Sequence, residues 1–336
     1  MKHIIFGGDG FLGTELTKKL SMRGDNVLIC DRKQTFSSGI YDSKLVSYLK
    51  LDVKDSKAFD NIDVEFDDVI YHFAAELLVP IVKRDKRKDY FWQALHIGTQ
   101  NVLDFMQKKG LKNLIYFTTD MVYGHSLENP RFENHPRKPL GPYGNAKYQT
   151  ELLCEDYRAK GFNIPIFRPR LIIGPGRLGI LEKLFKLIDW NLPVPTIGNG
   201  KNYYQFISVS DCADACLCPI EAGFPNEEYN LGSLNPPTVN ELLGMLIKKS
   251  GSKSFLIATP ASIVKFILDI FDRINLPIMD PEQYLIADET CVLDVRKAEN
   301  ELNWIPKDND IDMLLAAYLD YKGSSRQFTE KITALK

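Results

Sequence analysis

The chain has 336 residues, 44% hydrophobic and 26% charged, with 22 glycines and 18 prolines, a globular usage that excludes collagen-like, disordered and disulfide-scaffold classes. Its 42 Lys and Arg stand against 44 Asp and Glu, a formal net charge of −2, so no global field draws it to nucleic acid. The length suits two subdomains or one large α/β domain.

Only His3-Ile4-Ile5 separates Lys2 from Phe6-Gly7-Gly8-Asp9, far short of the apolar region of a signal peptide, and cytoplasmic residence is expected. His3–Phe6 reads as a first strand, and Leu12, Leu16 and Leu20 then repeat at helical spacing. Val27–Cys30, Val69–Phe73, Leu114–Phe117 and Ile164–Phe167 continue the strand series, with Leu95, Val102 and Met106 marking a looser helical repeat between them. These runs are apolar on both faces, as buried parallel strands are, and the alternation predicts an α/β fold with a doubly wound, Rossmann-type parallel sheet.

From residue 168 Pro and Gly become frequent and the alternation lapses, which predicts a smaller C-terminal lobe. It is expected to carry helices over Ile180–Trp190, Asn240–Lys249 and Ala261–Arg273, with short extended runs at Phe206–Val209 and Tyr229–Leu231. The stretch from Phe255 to Phe271 is interrupted by Pro260, Lys265 and Asp269 and cannot span a bilayer. An amphipathic core helix is the preferred reading there, and docking on a membrane surface or a partner is the alternative. Of six cysteines, Cys212, Cys216 and Cys218 cluster, but without C-x₂-C pairs or a nearby His. They read as small buried hydrophobes, and no metal is expected.

Gly7-Gly8-Asp9-Gly10-Phe11-Leu12-Gly13 joins the first strand to the first helix. Glycine is needed where the turn is tight, where backbone approaches a pyrophosphate and where helix meets strand, and the helix start offers N–H groups to phosphate. Asp31 closes the second strand, 18 residues after Gly13, where a carboxylate accepts the ribose hydroxyls of NAD. Arg32 beside it could instead clamp a 2′-phosphate, but the placement of Asp31 favours NAD.

Tyr143-Gly144-Asn145-Ala146-Lys147 puts a phenol and an ammonium on one helix face. A nearby ammonium and a positive nicotinamide favour the phenolate, which makes Tyr143 an acid/base candidate. The strand Leu114–Phe117 runs into Thr118-Thr119-Asp120-Met121-Val122-Tyr123-Gly124, which sets hydroxyls at the carboxyl edge of the sheet.

With His72-x-Ala74-Ala75, Arg168-Pro169, Gly174-Pro175-Gly176, Tyr229-Asn230-Leu231-Gly232 and Leu302-Asn303-Trp304-x-Pro306, these motifs resemble the extended short-chain dehydrogenase/reductase family, in its NAD-dependent sugar-nucleotide epimerase/dehydratase branch. The matches run in family order over almost the whole chain. The resemblance implies a catalytic set of Thr119, Tyr143 and Lys147, with Lys147 on the nicotinamide ribose. It implies that Asp52, ending a third strand at Leu51-Asp52-Val53, meets the adenine. Phe73, Ala74 and Ala75 would line the cofactor channel by backbone, Thr118 would adjoin it, and Pro169 would sit by the nicotinamide. The dinucleotide domain would comprise residues 1–167, with 202–235 expected to join it; 168–201 and 236–336 would form the substrate-binding lobe.

Two departures bear on substrate. By the resemblance, dehydratases of the branch carry Thr-Asp-Glu at the strand end, with the Glu as base, whereas here Met121 follows Asp120 and cannot move a proton. The usual Asn and Arg that grip the nucleotide diphosphate are replaced by Leu171 and Tyr204, with Arg170, Arg177 or Lys201 as substitutes. The implied activity is NAD-dependent 4-epimerisation of a nucleotide sugar, by transient oxidation of a hydroxyl and re-reduction. A ketoreductase or dehydrogenase on a ketosugar or other carbinol is the first alternative, and an inactive dinucleotide-binding module the second. His96 is expected to be a packed helix histidine, and the basic run Lys83-Arg84-Asp85-Lys86-Arg87-Lys88 a solvated helix lead-in. A homodimer through helices around Phe91–Met106 and Tyr148–Tyr157 is expected by the same resemblance.

Overall fold

The computed structural model describes residues 1–33, 44–78, 81–177, 179 and 181–334, with side chains described to residue 323. Ile180, the expected first residue of one helix, lies outside the described residues. In chain order the first half contains β1 (His3–Phe6), α1 (Phe11–Met22), β2 (Val27–Asp31), β3 (Val46–Lys50), β4 (Val69–His72), α2 (Arg87–Phe91), α3 (Gly98–Lys109), β5 (Leu114–Phe117), α4 (Pro142–Arg158) and β6 (Ile166–Pro169). A π-helical segment, Trp92–Ile97, joins α2 to α3. His96 within it stacks on Trp92 with ring centroids 4.1 Å apart.

The second half contributes β7 (Leu171–Ile173), α5 (Leu181–Asp189), β8 (Val194–Ile197), β9 (Phe206–Ser208), α6 (Val209–Ala215), α7 (Cys218–Glu221), β10 (Glu228–Leu231), α8 (Val239–Ser250), β11 (Leu256–Thr259), α9 (Ala261–Arg273), α10 (Pro281–Tyr284), α11 (Arg296–Leu302) and α12 (Asp310–Ala334).

Seven parallel strands form the main sheet in the order β10-β6-β5-β4-β1-β2-β3. The chain winds outward from β1 to β3 and then restarts at β4 on the other side, so the switch point lies between β1 and β4. Ligands bind in the crevice at the carboxyl ends of such strands. The third strand is Val46–Lys50, earlier than Leu51–Val53. It is the half-exposed edge strand, so the apolar run just beyond it gives the stronger signal.

Two apolar clusters cover the faces of the sheet, one beneath α1 and α6, the other beneath α3 and α4. Cys212 and Cys216 are buried in the first as small hydrophobes. A third cluster holds α5, α8 and α12 together in the C-terminal lobe.

The helix expected in the core over Ala261–Arg273 forms within those bounds but faces the other way. α9 buries Leu268 and Asp272 while Ile263, Phe266, Ile267 and Ile270 are exposed. Its polar side is the one held by protein: Lys265 donates to the Leu285 carbonyl, and Asp272 pairs with Arg87. Periodicity reports that a helix has two faces and leaves open which of them is covered.

Candidate active site

At the switch point, β1 and β4 bring Gly7 against Ala74. Gly7 has φ +81°, and a Cβ on it would lie 2.5 Å from the Ala74 nitrogen. A Cβ on Gly13 would meet the Gly7 carbonyl at 2.5 Å. Both positions therefore exclude any side chain, and α1 starts hard against the sheet edge. Gly10, the N-cap of α1, supplies no side-chain cap, which leaves the first N–H groups of the helix available to an anion.

Two adjoining cavities run across this edge. One of about 200 Å³ is lined by Asp9, Asp31, Arg32, Asp52, Val53 and Ala74. The other, about 370 Å³, is lined by Phe11, Leu12, Gly13, Thr118, Thr119, Met121, Tyr143, Lys147, Pro169, Arg170, Arg177 and Tyr204. Gly7, Gly10, Phe73 and Ala75 border both. The two cavities share these lining residues and so adjoin, and between them they are bordered by the glycine turn, Asp31, Asp52, Thr119, Tyr143, Lys147, Arg170, Arg177 and Tyr204, whereas Lys201, the third candidate cation, borders neither.

At the narrow end the Asp31 carboxylate accepts the Asp9 N–H at 3.1 Å. Arg32 is paired with Glu76, which also accepts the Tyr90 hydroxyl at 2.7 Å. The guanidinium charge is thereby compensated, which suits a ribose with a free 2′-hydroxyl rather than a 2′-phosphate. Asp52 lies two residues beyond β3 and turns its carboxylate to the Lys54 N–H at 3.0 Å. Thr118 Oγ1 is buried without a hydrogen-bond partner among the described residues, an orphaned polar atom of the kind a ligand satisfies. These features fit NAD.

In the wide cleft, Thr119 follows β5 and its hydroxyl accepts the Met121 N–H at 3.3 Å. Tyr143 and Lys147 project from successive turns of α4, 8% and 5% exposed. Burial pushes the Tyr143 phenol above its ordinary range and the Lys147 ammonium down to about 8. Thr119 and Arg177 act on the phenol in the opposite sense. Lys147 donates to the Phe117 carbonyl at 2.8 Å, so its position is set by the end of β5.

The candidate phosphate cations differ. Arg170 is buried, ion-paired with Asp120 and stacked over Tyr204 at 5.3 Å. That charge is committed within the protein. Arg177 lies over the Phe11 ring at 5.5 Å, has no carboxylate partner among the described residues, and is held below its ordinary range by burial.

One residue escaped sequence reasoning. Glu282, from α10 in the C-terminal lobe, is 2% exposed, and its carboxylate accepts the N–H groups of Tyr143 at 2.7 Å and Gly144 at 2.8 Å. It caps α4, whose own N-cap, Gly141, has no side chain to do so. A Cβ on Gly141 or Gly144 would lie 2.6 or 2.7 Å from Glu282 atoms, so both glycines make room for it. A helix beginning Gly-Pro with no Ser, Thr, Asp or Asn before it is the one hint in the sequence that a cap must come from elsewhere.

Residues 3–232 match the NAD dependent epimerase/dehydratase family. The chain belongs to this family. An uncharacterized protein of Sinorhizobium fredii is 28% identical over 96% of this chain and 78% of its own length. A dTDP-glucose 4,6-dehydratase of Streptomyces antibioticus is 27% identical over 99% of this chain and 95% of its own. A UDP-glucose 4-epimerase structure from Thermotoga maritima superposes with a TM-score of 0.78 at 23% identity, over 96% of this chain and 99% of that one. Membership of the epimerase/dehydratase family makes the protein an NAD-dependent enzyme of nucleotide-sugar chemistry.

Asp31→Ala is expected to weaken NAD about tenfold or more while affecting NADP less, measured by titration of both dinucleotides. Equal losses would remove Asp31 from the ribose contact. Burial raises the Glu282 carboxyl to about 7 despite its two N–H donors. A raised carboxylate binds more protons folded than unfolded between pH 4.5 and 7, so its contribution to stability falls as pH rises through that window. Glu282→Gln removes this slope, and the stability of the variant relative to the parent should therefore rise from pH 4.5 to 7 in denaturant unfolding.

Proposed function

We propose that this enzyme is a 4-epimerase of a nucleotide sugar, with Tyr143 as its single proton-moving group. The observation that carries the reading is the company of Tyr143. Thr119 and Arg177 act on its phenol, while Met121 packs beside it on the turn where the dehydratase pattern places a glutamate. Dehydration requires a second group to take a proton from carbon, and a thioether has no proton to exchange. Two carboxylates that line the cleft are engaged elsewhere, Asp120 with Arg170 and Glu289 with His125 at 2.6 Å.

Inversion of a carbinol needs one acid/base that works in both directions. Tyr143 takes the hydroxyl proton as the carbinol is oxidised and gives it back after the ketose has turned over. Burial favours its protonated form, the form that completes the return step. Bound NAD supplies the hydride acceptor and donor, and when oxidised a positive ring that favours the phenolate. Thr119 directs its hydroxyl to the reacting oxygen. Lys147, fixed by the Phe117 carbonyl, would hold the nicotinamide ribose, and Arg177 would meet a diphosphate.

A second reading is a one-way ketoreductase or dehydrogenase on a ketosugar or other carbinol. It is favoured by Tyr204 where the family pattern has a diphosphate-gripping Arg, and by the commitment of Arg170 to Asp120. Under multiple turnover the epimerase leaves the absorbance of reduced nicotinamide unchanged, whereas the second reading gives a steady net change.

Tyr143→Phe should lower turnover by ~10²-fold or more while NAD affinity changes little, measured by epimer analysis and dinucleotide titration. Unchanged turnover would remove Tyr143 from the mechanism. Arg177→Ala should raise KM about tenfold or more, as expected for loss of a charged hydrogen bond.

A further inference from the structure

Tyr143 is mounted on the first turn of α4, and a helix start carries roughly half an elementary positive charge on N–H groups that have no partner within the helix. Left open, that charge would favour a phenolate nearby. The turn is closed instead. Pro142 has no N–H, Asn145 donates to the Gly141 carbonyl at 3.0 Å, and the two donors between them, on Tyr143 and Gly144, both go to the Glu282 carboxylate. Gly141 and Gly144 lack the Cβ atoms that would push Glu282 away. After burial, Glu282 is the largest influence on the Tyr143 phenol, and it acts in the same upward direction.

The charge of Glu282 has few other counterparts. It forms no ion pair among the described residues, and Asp280, the N-cap of α10, adds a like charge beside it. The Arg87 guanidinium acts on it in the opposite sense but already pairs with Asp272 of α9 and lies 3.6 Å from Asp280. Tyr143 is faced in turn by Thr119 and Arg177, which favour its ionisation, and by Asp120, which opposes it and is itself paired with Arg170. Lys147, one turn further along α4, donates to the Phe117 carbonyl. Glu282 does not border the cleft, although its neighbours Gln283 and Ile286 do. Its carboxylate therefore acts on the phenol from behind the cleft wall, without touching the reacting atoms.

We infer that Glu282 is a positioning residue for the reaction: its carboxylate cancels the positive end of the helix on which Tyr143 is mounted, and so sets how readily the phenol gives up its proton. The inference rests on the reading of Tyr143 as the acid/base. Burial raises the Glu282 carboxyl to about 7, so it acquires its charge as pH rises through neutrality. In the acid range the cap is neutral and the phenol ionises more readily. Above neutrality the anion holds the proton on the phenol, as one of two like charges resists the other. Rising pH thus favours the phenolate directly and opposes it through Glu282, and the acidity of Tyr143 is buffered around neutral pH.

A pH titration of the full chain loaded with NAD tests the inference without any sugar substrate. The near-ultraviolet tyrosinate signal of Tyr143 is read as the difference between each protein and the same protein carrying Tyr143→Phe. Glu282→Gln should lower the midpoint of that signal by roughly one pH unit, as expected for removal of a nearby like charge, with NAD affinity unchanged. Glu282→Asp keeps the charge and should hold the midpoint closer to that of the parent. A first turn that had merely loosened would lower the midpoint in both variants alike, because aspartate also falls short of the two N–H groups. Should the glutamine variant not fold, Glu282→Asp against Glu282→Asn makes the same comparison of charge at equal length. An unmoved midpoint in the uncharged variant would overturn the inference, as would equal shifts in the charged and uncharged variants. So would a phenol that stays protonated in parent and variant throughout the folded range. Loss of turnover in Tyr143→Phe would in each of these cases leave Tyr143 as the acid/base, so the two readings fail separately.

Discussion

The site depends on how closely two strand ends approach each other. β1 and β4 are neighbours whose chain connections leave in opposite directions, and the crevice between those connections can accept a phosphate only if backbone rather than side chain lines it. Gly7 against Ala74 and Gly13 against Gly7 meet that condition, since a Cβ at either glycine would fall 2.5 Å from backbone. Once α1 is seated there, its uncapped first turn, the Asp31 carboxylate and the orphaned Thr118 hydroxyl all border the same groove. The dinucleotide site is therefore a property of the sheet topology together with two missing methyl groups.

Burial then decides how the chemistry is set. Tyr143 and Lys147 share one helix face, but the low-dielectric surroundings penalise both charges, raising the phenol and lowering the ammonium. The simple expectation that the lysine makes the tyrosine a base is incomplete for the chain by itself. Lys147 gives one of its three N–H donors to the Phe117 carbonyl, and Arg177 adds a cation that acts on the phenol. The chain by itself thus favours the protonated form of Tyr143.

Features written in consecutive residues were legible in the sequence. The glycine turn after His3–Phe6, the acid at the end of β2, and the Tyr143 and Lys147 pair all follow from local spacing, and the structure sets them along one groove. Features that depend on distant partners were not. Nothing near Arg170 announces that Asp120 will neutralise it, and nothing near Glu282 connects it to a helix start 139 residues away. The sequence pattern points past the edge strand β3 because its half-exposed positions dilute the apolar signal. The orientation of α9 was inverted for a related reason: its two faces are evident, whereas the neighbours that select one of them, Leu285 and Arg87, come from other parts of the chain.

The Glu282 cap has a mechanical corollary. The Glu282 carboxylate of α10 plugs the first turn of α4, so the two helices are latched at the spot where the phenol is mounted. Any hinge-like opening that withdrew α10 by a bond length would unseat both N–H groups and loosen the turn bearing Tyr143. Movements of the cleft walls that keep α10 in place leave the mounting of Tyr143 undisturbed.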